Sequence, residues 1–334
     1  MKDILQDIYR RERTFLCPQA FLSENTKGRQ KPTDNDAMRT DFQRDRDRIL
    51  HSKSFRRLMH KTQVFLSPED DHYRTRLTHT LEVTQIARSI ARAMYLNEDL
   101  TEAVALGHDL GHTPFGHAGE RQLNKMLPGG FRHYEQSIRV VDVLEDLNLT
   151  FEVRDGILCH TNQVAQTLEG QIVRMADHIA YLNHDIDDAI RAQVMSADDI
   201  PLMLRNTLGY TTSERITTMV NSVIEFGAEH GYIGTSGEIG GAMMELKSLL
   251  FALVYTNPAA KGEESRAEAM LGTLYEYYLA HPEQLPEMYA RHIEKDGVER
   301  CVADYISGMT DRYAISTFKS LFIPKIWQGG GENN

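Results

Sequence analysis

Residues 108–120 read HDLGHTPFGHAGE. His108, Asp109, His112, His117 and Glu120 fall within these thirteen residues, interleaved with Gly111, Gly116 and Gly119 and preceded by Gly107. A segment kept only for packing has no use for so many imidazoles and carboxylates. A helix kept only for stability would not carry these glycines, each costing about 1 kcal/mol against Ala. The stretch therefore reads as a chemical site laid across a helix end. Neighbouring side chains in a helix middle diverge by about 100°, but at a terminus followed by glycine a His-Asp doublet can converge on one cation. Thr113 and Pro114 offer an N-cap and a first-turn proline for a following helix. That helix is expected to run to about Leu127, where Pro128-Gly129-Gly130 ends it. His117 and Glu120, three apart on it, share a face.

Outward from this stretch the apolar period is helical, with no series of alternating strands. Residues 41–61 predict a charged helical stretch with Phe42, Ile49, Leu50, Phe55, Leu58 and Met59 inward. Residues 76–94 predict a second helix with Leu77, Leu81, Ile86, Ala87, Ile90 and Met94 inward, and 100–110 a third. Further helices are expected at 134–147, 151–159, 168–194, 212–229, 242–255, 266–279 and 311–321. The six glycines of 227–241 predict a mobile loop, and short ribbons are expected at 27–36 or 231–234. The fold expected is all-α, with an N-terminal arm (1–40), a core (41–226), a helical C-terminal region (227–327) and a disordered tail (328–334).

Composition sets outer limits. Hydrophobic residues make up 41% and charged residues 25%, which is ordinary for a soluble globular protein. No apolar run approaches the roughly 18 residues of a membrane span, and MKDILQDIYRRER mixes acid and base too early for a secretory signal. Cys17, Cys159 and Cys301 are odd in number and far apart, which argues against a disulfide framework or a CxxC metal site. A cytoplasmic location and no membrane partner are the expectation. The net charge of −11 argues against broad binding to nucleic acid. Against that total, residues 39–61 carry eight Lys/Arg and three Asp. This basic island is either a solvated helix face or a place that gathers a polyanion such as a triphosphate.

Two further residues complete a half-shell of metal ligands: His79 in RLTHT and Asp177 in RMADHIAYLNHD. With His108 and Asp109 they make an imidazole and carboxylate set without cysteine. Such a set suits a divalent ion (Mn²⁺, Fe²⁺, Mg²⁺ or Ni²⁺) with open water positions better than structural zinc. His160, His178, His184, His51, His60 and His72 read as structural histidines.

The ordered set H…HD…D resembles the HD phosphohydrolase superfamily, and HDLGHTPFGHAGE is similar to its dGTPase branch, the dNTP triphosphohydrolases. FQRDRDRILHSKSFRRLMHKTQVF (42–65), RLTHTLEV and ADHIAYLNHDIDDA (176–189) carry the resemblance further, closely over about 30–195. It implies an HD-domain fold, His79, His108, Asp109 and Asp177 as metal ligands, and His117 with Glu120 as a general acid and the carboxylate that orients it. It further implies His112 as an active-site histidine at phosphate and Arg76 as a phosphate contact. Tyr181 would exclude a ribose hydroxyl and Asp185 would accept from the 3′-OH, while His133 would stand near the phosphates. The implied reaction is hydrolysis of a dNTP to deoxynucleoside and triphosphate. A homo-oligomer is implied as well, with a dNTP activator as a possible further ligand. Some relatives bind single-stranded DNA, which the overall charge here does not favour. Two other readings keep the same residues: an HD enzyme for another nucleotide, and a non-catalytic dNTP sensor. Gly111-His112 stand where alarmone hydrolases carry Glu-Asp, and the intact His117/Glu120 pair argues against a sensor.

Overall fold

The computed structural model of the chain describes residues 4–34, 36–63, 74–256 and 258–324, the side chains of 258–261 excepted. The fold is all-α, and no strand occurs among the described residues. Of the ribbons expected at 27–36 or 231–234 there is only an isolated bridge, Arg29 with Thr150; a second bridge pairs Thr62 with Thr75. His72 and the tail from 328 lie outside the described residues.

An N-terminal helix, α1 (Ile4–Phe15), precedes α2 (Asp41–His51) and α3 (Lys53–Arg57). The sequence pattern treats 41–61 as one helical stretch, but Ser52 divides it. Its backbone turns extended and its hydroxyl caps α3 by accepting from Phe55 N at 3.1 Å, the local competition that serine offers to a helix. Phe42, Ile49, Phe55 and Leu58 are buried as expected, while Leu50 and Met59 are exposed.

Five helices then build the frame of the site: α4 (Arg76–Ala93), α5 (Glu98–Gly107), α6 (Gly116–Met126), α7 (His133–Arg139) and α8 (Phe151–Cys159). The long α9 (Leu168–Arg191) closes it, packing against α4, α5 and α8. Thr75 and Thr167 cap α4 and α9 by accepting from Thr78 N and Gly170 N. Ala87, Ile90, Val104, Ile157, Ile172 and Ile179 are fully buried between these helices; Leu81, expected inward, is exposed.

The start of α6 departs from expectation. Thr113 does not cap it, because its hydroxyl donates to Gly116 O at 2.9 Å. Phe115 adopts a left-handed backbone, φ 59, so the chain turns sharply before helix begins at Gly116. Phe115 N donates to Asp311 Oδ1 at 2.9 Å, which ties this turn to the far end of the chain.

The C-terminal region holds α10 (Leu202–Leu208), α11 (Thr212–His230), α12 (Gly237–Leu250) and α13 (Pro258–Ala280). After it come α14 (Glu287–Ala290), α15 (Ile293–Asp296), α16 (Val298–Ser307) and α17 (Asp311–Phe322). The loop expected over 227–241 shrinks to a short connection, since Gly227 lies within α11 and Gly237, Gly240 and Gly241 within α12. Helix α13 packs on α6 and α12 on α9, and one cluster of buried apolar residues runs from Phe42 to Ala314. The N-terminal arm is clipped down by buried carboxylates. Glu169 accepts from Phe21 N and Asn97 N, and Asp45 pairs with Arg29. No helix among the described residues is long and apolar enough to cross a membrane.

Candidate active site

His79 sits one turn into α4, His108 at the C-cap of α5 with Asp109 beyond it, and Asp177 in the middle of α9. Three separate elements thus deliver four side chains to one point. Ligand atoms of His79, His108 and Asp177 all lie within 4.8 Å of one another. His79 Nε2 is 3.1 Å from Asp177 Oδ1, and His108 Nε2 is 3.7 Å from Asp109 Oδ2.

The second nitrogen of His108 explains the first. Its Nδ1–H donates to Ala105 O at 2.6 Å, which leaves Nε2 as the lone-pair atom. That Nε2 is buried and has no hydrogen-bond partner. A buried, unpaired imidazole nitrogen facing two carboxylates is the donor a divalent cation requires. The donor set fits such an ion, and it contains no thiolate.

The charges around this point are unequal. Burial alone would raise Asp109, but the Arg76 guanidinium bonded to it and the neighbouring imidazoles hold it well below the carboxylate range. Asp177 is likewise driven low, burial being outweighed by the hydrogen bond and charge of His79. In His79 the same pair works the other way: burial opposes the charged ring, and Asp177 raises it.

Glu120 does not hydrogen-bond His117. Its carboxylate accepts from His133 N at 2.9 Å and from His133 Nδ1 at 3.0 Å. His117 Nδ1 stands 3.7 Å away, on a side chain 70% exposed at the rim. The i, i+3 spacing brings His117 and Glu120 near one another, but the tertiary fold gives the closer contact to His133, thirteen residues along. Burial pushes the His112 imidazole well below its ordinary value. It stacks on His133 with ring centroids 4.8 Å apart.

All of this opens into a cavity of about 740 Å³, a volume suited to a small-molecule ligand. Tyr181 and Asp185 line it, one and two turns along α9 from Asp177. Burial raises the Asp185 carboxyl to about 6. Tyr255 donates its hydroxyl to Asp185 Oδ2, while Asp185 Oδ1 is buried without a partner. The cations lining the cavity are Arg76, Arg121, Arg132 and Lys247; no basic residue of 39–61 is among them. Those residues are largely spent elsewhere. Arg46 pairs with Glu102 and Arg57 with Glu145, and Arg48 donates to the carbonyls of Leu147 and Asn148. Lys61 is buried and donates to Ser307 O at 2.7 Å and His112 O at 2.5 Å.

Tyr255, His160 and His178 line the cavity but escape a reading of the motifs. Tyr255 comes from the far side of the chain, and no local pattern marks it. His160, expected to be structural, lines the cavity beside His133, with their Nε2 atoms 3.2 Å apart. His178 lines it as well, edge-on to Tyr181. His184 is structural as expected, paired with Glu82 at 3.0 Å, and His51 and His60 are at the surface.

Residues 76–182 match the sequence profile of the HD domain, and residues 233–320 that of a phosphohydrolase-associated domain. The chain is 55% identical to a deoxyguanosinetriphosphate triphosphohydrolase-like protein of Caldanaerobacter subterraneus subsp. tengcongensis, over 95% of either chain. It is 47% identical to the protein of that name from Clostridium perfringens, over 96% of this chain and 98% of the relative. For Geobacter sulfurreducens the identity is 40%, over 94% and 96%.

Proposed function

Because this chain belongs to the deoxyguanosinetriphosphate triphosphohydrolase-like family of HD-domain phosphohydrolases, we propose that it hydrolyses a deoxynucleoside triphosphate to deoxynucleoside and inorganic triphosphate, water attacking the α-phosphorus. One observation carries the reading. Asp177, Tyr181 and Asp185 lie along one face of α9 in a single cavity, so one rigid element addresses both the cation and the sugar.

His79, His108, Asp109 and Asp177 would hold a divalent cation, which supplies Lewis-acid polarisation of a phosphoryl oxygen and activation of water. Asp185 accepts the sugar 3′-hydroxyl on its unpartnered oxygen. The Tyr181 ring fills the space a 2′-hydroxyl would need, a repulsive element that separates deoxy- from ribonucleotides. Arg76, already fixed against Asp109, turns its remaining donors to phosphate, and the ring edges of His112 and His133 lie beside it. Arg121, Arg132 and Lys247 spread positive charge where the β- and γ-phosphates gather negative charge. His117 delivers the proton that the departing 5′ oxygen needs, and Glu120, 3.7 Å away, steers its ring.

A product assay tests this. Purified protein is incubated with Mn²⁺ or Mg²⁺ and each dNTP and NTP in turn, then with nucleotide mixtures in case an activator is needed. Triphosphate and nucleoside from dNTPs are expected, with ribonucleotides spared. In Tyr181→Ala the dNTP/NTP preference should fall by about tenfold or more, worth about 1.4 kcal/mol. Release of orthophosphate or pyrophosphate would mean that a different bond is broken and would sink the reading.

A further inference from the structure

His117 stands at the rim of the cavity on a side chain 70% exposed. Glu120, 3.7 Å from its Nδ1, is too far for a hydrogen bond. His112 offers it an edge contact, ring centroids 5.7 Å apart. What places this imidazole is therefore the backbone beneath it, the first turn of α6.

That turn does not support itself. Phe115 is left-handed at φ 59, and Gly116 follows at φ 56. A residue with a side chain disfavours such a backbone, and no side chain caps the helix start. The bond from Thr113 Oγ1 to Gly116 O lies within the turn and moves with it. Asp311, at the first position of α17, grips the turn from outside. Its Oδ1 accepts from Phe115 N at 2.9 Å, and its Oδ2 accepts from Thr62 N at 2.9 Å and from the Thr62 hydroxyl. Asp311 is only 3% exposed, so water competes little for these bonds.

The Thr62 half of the grip gives the turn a reference point. Thr62 bridges Thr75, the N-cap of α4, and Lys61 O accepts from Arg76 N at 3.1 Å. This segment is thus seated on the start of α4, the helix that brings Arg76 and His79 to the cavity. Gln63 O and the Arg76 guanidinium stand 3.5 and 3.7 Å from where a Cβ on Gly116 would be. One buried carboxylate therefore joins the backbone under His117 to the helix facing it.

We infer that Asp311 is the positioning residue of the general acid, holding the Phe115–Gly116 turn so that His117 keeps a fixed place relative to Arg76 and His79. The inference rests on the reading of His117 as proton donor in dNTP hydrolysis. In that step the water oxygen bonds to the α-phosphorus as the bond from phosphorus to the 5′ oxygen breaks, its electron pair going to that oxygen. The 5′ oxygen takes the proton from His117, and the water gives up one to solvent. Asp311 does not line the cavity; it acts through a residue 196 positions away.

A leaving group that needs no proton separates positioning from general damage. Variants are assayed on the dNTP that the wild type cleaves best, and on the same nucleotide with sulfur as the bridging 5′ atom. A thiol pKa of about 8.5 lets that group leave as the thiolate. Asp311→Asn keeps the size of the side chain but must turn an amide N–H towards Phe115 N–H or Thr62 N–H. Its kcat should fall about 100-fold on the oxygen substrate and less than about threefold on the sulfur one, with both KM values near wild type. His117→Ala should show the same selective loss. Thr310→Ala removes the hydroxyl that caps α17 by accepting from Tyr313 N. It should lower Tm and leave the ratio of the two rates at its wild-type value. Amide exchange on the wild type needs no variant: Phe115 N–H should exchange as slowly as the amides within α6.

Equal losses on both substrates in Asp311→Asn, beside a selective loss in His117→Ala, would overturn the inference and keep the reading it rests on. Equal losses in His117→Ala would remove the general acid and the inference with it. A Phe115 amide exchanging at the rate of an open loop would mean that Asp311 does not hold the turn, whatever the fate of the variants. A wild type that releases no triphosphate from any dNTP would overturn the reading and the inference together.

Discussion

Asp185 is a carboxylate held in a place that disfavours its charge. Its value is raised from 3.8 to about 6 by burial. A group with a raised folded value contributes stability that is fully present below its unfolded value and is lost as the pH rises through the folded one. Between pH 4 and 6, therefore, the ionising Asp185 progressively weakens the fold. Asp185→Asn stays neutral and can still accept from Tyr255. It should be more stable than wild type at pH 8 by about 3 kcal/mol, the gap closing as the pH falls through 6 towards 4. Calorimetric melts across that range check the sign, and a gap independent of pH would contradict it. The same variant should lose turnover, because a sugar hydroxyl needs the carboxylate; stability and activity are expected to part company at this position. At this scale the gathering of His79, His108, Asp109 and Asp177 around one cavity was legible in the sequence because their types and order are chemical constraints. The partner of Glu120 was not, since His133 reaches it only through the turn after α6.

Gly111 shows what an element requires of a single residue. A Cβ there would stand 2.1 Å from Ser137 N and 2.7 Å from His133 O, so the loop after α5 lies directly on α7. Gly111→Ala must push α7 back and carry His133 with it. Overpacking of this kind costs about 1–3 kcal/mol, and a displacement of about 1 Å at a site can cost roughly 100-fold in rate. Thermal melts and kcat measured together should both fall; unchanged values would mean that α7 yields without moving His133. Gly119 is constrained in the same way, its Cβ position lying 2.1 Å from Pro114 O. Gly111 and Gly119 of HDLGHTPFGHAGE are thus points of close approach, while Gly116 supplies a left-handed backbone, φ 56. Most helices were legible from their apolar period, and α8 matches its expected span of 151–159. The break at Ser52 and the left-handed Phe115 were not, because a serine hydroxyl caps locally at the one and a tertiary hydrogen bond to Asp311 holds the other. Helix α16 was overlooked although Val298, Cys301, Val302, Tyr305 and Ile306 carry a helical period.

Across the whole molecule, the proposed cation joins α4, the end of α5 and α9, adding to the His79–Asp177 and Glu82–His184 pairs between α4 and α9. Binding to the folded chain alone should raise stability by about 2.7 kcal/mol at a hundredfold excess over Kd. Mn²⁺ should therefore raise Tm and a chelator reverse the gain, while Asp177→Ala should show neither response. A Tm indifferent to Mn²⁺ in the wild type would argue against a cation bridging these helices. The C-terminal helices belong to the same mechanics. Asp311 at the start of α17 accepts from Phe115 N and Thr62 N, and Lys61 bridges His112 O and Ser307 O. The loop bearing His112 and His117 is thereby held from behind by residues some 200 positions away.

The sequence by itself determined the all-α class, the HD-type pattern of histidines and aspartates and the face of α9 that carries Asp177, Tyr181 and Asp185. Those features follow from residue chemistry and a helical period, both of which are local. Only the tertiary structure decided that Glu120 hydrogen-bonds His133, that His160 and Tyr255 enter the cavity, and that Arg121, Arg132 and Lys247 supply its charge in place of the basic island. Each of these depends on which helices lie side by side, and that is settled by the burial of apolar surface shared across the whole chain.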